Sequence, residues 1–206
     1  MSARRQLVLI APLFALAACG SETPAPEAPL TIWEGTWQAV EPLFRDAALN
    51  VGYQAIHDLR PEYSVDEIKA SFVATADVDY TSLRVQSNTL TFLDGTRVVC
   101  SARYRAASSG DTGDGGAMAG PESYTDFTLV EQTGGDCSSY KTVSMTALLD
   151  VEGPVFHFHI VTGTASGPLR PAPWKPSVWT TATTAASFAQ KLQAAAPAIA
   201  SSLPAR

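Results

Sequence analysis

Basic residues are scarce: 14 Lys and Arg stand against 20 Asp and Glu, a formal net charge of −6. That balance argues against a nucleic-acid partner, whose phosphates require a basic surface. Beyond the N-terminus no apolar run reaches eighteen residues, which excludes a polytopic membrane protein. A G-x-S-x-G elbow, a G-x-G-x-x-G fingerprint and a phosphate-binding Walker loop are all missing, so the chain reads as a binding protein and not as an enzyme. Cysteine occurs only three times and never as C-x-x-C, which weakens the reading of a thiolate zinc module. What is present is 206 residues, 46% hydrophobic, enough for one domain with a real core but short for two.

The N-terminus reads as an address. Arg4 and Arg5 form a positive region, Leu7 to Ala18 is an apolar stretch too short for a comfortable membrane span, and small residues follow. Leu16-Ala17-Ala18-Cys19-Gly20 resembles the lipobox of bacterial lipoproteins, which implies cleavage after residue 18 and a lipid on the sulfur of Cys19. Residues 19–29, with three prolines and no large apolar side chain, are expected to be a solvated tether, and residues 30–206 the folded domain. By analogy with known lipoproteins, Gly20 fits sorting to the outer membrane, so the expected location is the periplasm, anchored to a bacterial membrane. With Cys19 lipidated, Cys100 and Cys137 remain as an even pair in an oxidising compartment, and a disulfide between them is the first expectation. A two-thiolate zinc site is the alternative.

Thr31-Ile32-Trp33-Glu34 has the form of a capping box, with Trp33, Trp37, Val40 and Phe44 following at helical spacing, and Pro42 marks a kink or a second short helix. Ser64-Val65-Asp66-Glu67 opens another helix, with Val65, Ile68 and Phe72 on one face. From Val78 the period falls to two: Leu83 and Val85, Leu90 and Phe92, then Val98, Cys100, Ala102 and Tyr104, with turns at Ser87-Asn88 and Asp94-Gly95. Tyr124 to Glu131, Tyr140 to Leu149 and Val155 to Thr162 add strands, and six or more strands on short connections favour a closed antiparallel barrel. Residues 107–120 are rich in Gly, Ser and Asp and read as a mobile loop, with only a faint echo of a calcium loop at Asp111 to Gly115. Thr184 to Ala196 is expected to form one C-terminal helix, with Phe188 and Leu192 on its packed face.

Two of the three histidines sit two apart, in Phe156-His157-Phe158-His159-Ile160. In a strand that spacing puts both imidazoles on one face, where they can converge on one ion, while Phe156, Phe158 and Ile160 take the other face. Two neutral imidazoles suit zinc, but a stable site needs a third or fourth donor. The candidates to complete it are His57, Asp150 and Glu152. In the plainer alternative, the histidines hydrogen-bond in a barrel mouth that holds no metal.

Leu30 to Leu49, with its W-x-G-x-W-x-x-V-x-P-L spacing, and the F-H-F-H-I strand resemble the corresponding blocks of the ZinT (YodA) family of periplasmic zinc-binding, lipocalin-like proteins. Trp174, Pro176 and the final helix are compatible with it, as is a Cys100–Cys137 bridge. The resemblance implies a mainly β, calycin-type barrel with flanking helices, zinc held by several histidines, and a role in zinc acquisition or buffering. It maps two family ligands onto His157 and His159. The third, a histidine about nine residues earlier, falls on Leu148, which binds no metal. Hence a second expectation stands beside the first: a calycin-type binder of a small apolar ligand, or of a periplasmic protein partner, that has lost the metal.

Overall fold

The computed structural model describes residues 30–111, 123–150, 156–164 and 177–206. The expected leader and tether with Cys19, residues 112–120, Glu152 and the stretch with Trp174 and Pro176 lie outside the described residues.

Among the described residues nine antiparallel strands form one sheet: β1 (Gly35–Ala39), β2 (Ser82–Gln86), β3 (Thr89–Asp94), β4 (Arg97–Asp111), β5 (Ser123–Gly135), β6 (Thr142–Thr146), β7 (Leu149–Asp150), β8 (Phe156–Gly163) and β9 (Ser177–Thr180). Pairing of β6 with β8 and of β9 with β1 closes eight of them into a barrel, while β7 extends the line of β6 along β8. Closure leaves the eight strands no open edge. The turn before β3 places Ser87 at φ 53°, and Gly95 takes φ 59° in the next turn, both where the sequence marks them.

The barrel interior is solid. Leu83, Val85, Leu90, Phe92, Ala102, Tyr104, Phe127, Val143, Met145, Phe158, Ile160 and Val178 alternate inward along their strands and are buried together. Trp33 meets Phe127 edge-on at 5.6 Å, Trp37 meets Phe158 at 4.8 Å, and Phe92 lies 4.3 Å from Tyr140. This filled centre differs from the open cup that a carrier of apolar molecules requires. Cys100 and Cys137 form the expected disulfide beside it. Val98, expected inward, is 40% exposed, because a bulge in the β3–β4 register lets Phe92 pair with Cys100 and Leu93 with Val98. The strand also runs further than expected: residues 107–111, read as loop, belong to β4.

A second layer of helices covers one wall. These are α1 (Glu41–Arg45), α2 (Asn50–Leu59), α3 (Val65–Thr75) and α4 (Ala185–Ser202). Val40, Phe44, Tyr53, Ile56, Ile68, Phe72, Phe188 and Leu192 form their shared core, joined by Trp179 from β9. Ser64 and Glu67 make the capping box at α3, and Pro42 sits in the first turn of α1. The first capping box does not open a helix. Leu30–Trp33 is a single 3-10 turn, Gly35 at φ 139° redirects the chain into β1, and Trp37 enters the barrel. Glu34 accepts from the backbone N–H of Ser87 at 3.0 Å, steadying the β2–β3 turn instead of a helix start. At the other end α4 outruns its expected limit at Ala196 and passes through Pro197, since Ile199 and Ala200 are buried in the helical core. Arg60 then serves its last turn, donating to the carbonyls of Ala200 and Leu203 at 2.8 and 2.9 Å.

Candidate metal centre

β8 carries the histidine pair. Because Phe158 and Ile160 point into the barrel core, His157 and His159 stand on its outer wall, each half-buried. Their rings are 5.4 Å apart between centroids and nearly perpendicular, at 86°. Two imidazoles on one tetrahedral zinc, with Zn–N near 2.1 Å, would have centroids about 5 Å apart. The observed pair has the spacing of two donors to one ion.

Strand neighbours hold the pair in place. His157 lies opposite Trp179 of β9, and the imidazole stacks on the indole at 4.4 Å with 11° between planes. Trp179 is buried, and it also meets the ring of Phe188 on α4 edge-on at 5.0 Å. The backbone N–H of His159 donates to the Thr146 hydroxyl at 3.0 Å, tying β8 to the end of β6. Further round the same outer wall Asp126 pairs in register with Ser144, and Ser144 with Val161. Asp126 is only 2% exposed and accepts a hydrogen bond from the Ser144 hydroxyl.

The other candidates fall elsewhere. His57 lies near the end of α2, and its Nδ1–H donates to the Tyr63 carbonyl at 2.7 Å, so the ring is engaged at the α2–α3 corner. In register Leu149 faces His157 and Asp150 faces Phe156. Leu148, at the position of the missing third histidine, packs against the barrel core. Among the described residues no three His, Cys, Asp or Glu side chains gather as a metal site. The donor set therefore fits zinc as two imidazoles, without a third protein ligand among the described side chains. Sequence reasoning missed Trp179 and Asp126. The Ser-Val-Trp-Thr strand is too short to show a period, and Asp126 has the pattern of any solvated strand position.

Comparison of the fold with solved structures finds the Zn(II)-bound ZinT-like domain of AdcA from Streptococcus pneumoniae, with a TM-score of 0.58 and 18% identity over 84% of this chain and 93% of that one. This chain has the ZinT-like fold. Zn(II)-bound AdcA from the same organism matches with the same TM-score and identity, over 80% of this chain and 35% of that longer one, so the barrel and its helices correspond to a part of AdcA. No protein-family model and no curated protein matches the sequence itself. At this identity the likeness is one of architecture: the calycin-type barrel with its flanking helices.

Proposed function

We propose that this protein binds zinc in the periplasm, for acquisition or buffering, and is held to a bacterial membrane, the outer membrane by analogy, through a lipid on Cys19. The observation that carries the proposal is the His157–His159 pair at 5.4 Å on one strand of a ZinT-like barrel. One nitrogen from each ring would bind the ion. Glu152, four residues before β8 in the sequence, would add a carboxylate oxygen, and water can take the remaining position. Asp150 is left out, because it pairs in register with Phe156, which alternates with the two histidines along β8. His57 is left out, because it serves the α2–α3 corner. Zinc is cargo here: two imidazoles with one carboxylate hold an ion that can still be given up. A periplasmic protein would be the recipient. The packed barrel speaks against the rival reading of an apolar molecule carried inside.

Titration of metal-free mature protein with zinc chloride tests the site. One ion per chain is expected, with affinity falling on acidification because protons compete for the imidazole lone pairs. Replacing both His157 and His159 by Ala should abolish that binding. Unchanged binding in the double variant, or no binding by the native protein, overturns the site. For the anchor, C19A should move the protein from the membrane to the soluble fraction.

A further inference from the structure

We infer that Trp179 is the positioning residue of the histidine pair, an inference that rests on the zinc reading above. A histidine on the outer wall of a barrel ordinarily turns about two side-chain torsions, and ordering both on metal capture opposes binding. Here the imidazole of His157 lies flat on the Trp179 indole at 4.4 Å and 11°. Turning the ring about Cβ–Cγ breaks the stack, and changing χ1 carries it off the indole face. The indole is itself immobilised, since it is buried and also packs on Phe188 at 5.0 Å and 90°. Phe188 in turn lies 5.7 Å from Phe44 in the helical core. The plane of His157 is thus set by the helical layer before an ion arrives, crossed at 86° with His159. Indole is also a safe neighbour for a metal ligand. Its Nε1–H only donates, so it offers no lone pair to compete for the ion.

The test uses the mature chain and zinc chloride. With its stack removed, W179L should bind zinc about 10- to 100-fold more weakly, the range found when groups orienting metal ligands are lost. W179F keeps a flat ring against His157 and should restore most of the affinity. Near-UV circular dichroism and the thermal midpoint establish that each variant is folded. Independently of any variant, the ring CH resonances of His157 in the native protein should be shifted upfield by the indole face and stay so at one equivalent of zinc. A folded W179L with native affinity, or His157 resonances at the positions of free imidazole, overturns the inference while leaving the zinc site standing. Failure of the native protein to bind zinc overturns both.

Discussion

A carboxylate on the outside of a barrel is normally solvated, yet Asp126 is 2% exposed and takes a hydrogen bond from Ser144. Removing one partner of such a bond leaves the other buried without it, at a cost of about 1–3 kcal/mol. D126A should therefore lower the unfolding free energy in urea by about that amount, and D126N, whose carbonyl still accepts from Ser144, by less. At this scale the sequence was legible where chemistry and period coincide. His157 and His159 announce themselves because a spacing of two on a strand fixes a shared face, and the structure keeps them on one. It was illegible where the neighbour comes from far along the chain. Nothing near residue 179 tells that its indole will lie under an imidazole 22 positions earlier, and nothing near Asp126 tells that it will be covered.

At the scale of elements, α2 and α4 approach so closely that Gly52 has no room for a side chain. A Cβ built there would lie 2.7 Å from both Cγ and Cδ2 of Leu192 and 3.0 Å from its Cβ. G52A should destabilise by about 1–3 kcal/mol through overpacking, despite alanine's better helix propensity, and a guanidinium melt would show the midpoint falling and not rising. The two capping boxes mark what a local motif can say. Ser64 and Glu67 bond as their spacing predicts, whereas Glu34 spends its carboxylate on Ser87, 53 residues away, and Gly35 ends the turn. Pro197 carries the opposite lesson. A proline inside a helix costs about 3 kcal/mol, but burial of Ala196, Ile199 and Ala200 outweighs it, so α4 continues where the sequence advised a stop. The strands of the meander were readable from alternation, while in β1 Trp37 fell into a helical spacing with Trp33, Val40 and Phe44, and β9, at four residues, was too short.

Across the whole molecule, stability is set by the covalent bridge and by the filled interior. Cys100 and Cys137 close a loop of 37 residues. Their replacement together by Ala should cost roughly 3–4 kcal/mol, read as a fall in the urea midpoint. Tyr80, Tyr104 and Tyr140 cluster near the bridge, Tyr104 donating to the Tyr140 carbonyl at 2.7 Å and Tyr140 to Asp79. Burial pushes all three hydroxyls above the ordinary 10.0, with Asp79 adding to the shift at Tyr80 and Tyr140. Above 10 the unfolded phenols release protons that the folded ones retain. Their contribution is thus complete below that pH and lost as pH climbs past it. A thermal midpoint that holds steady up to about pH 10 and then drops is the expected record. The barrel class could be inferred from strand count and spacing, but its closure through β9 and its solid centre required the fold. The outward stance of the two imidazoles has a kinetic corollary. Zinc held there as proposed would ride on the outer wall of a solid drum and board and alight without the drum opening, so its traffic can be fast however slowly the body itself unfolds.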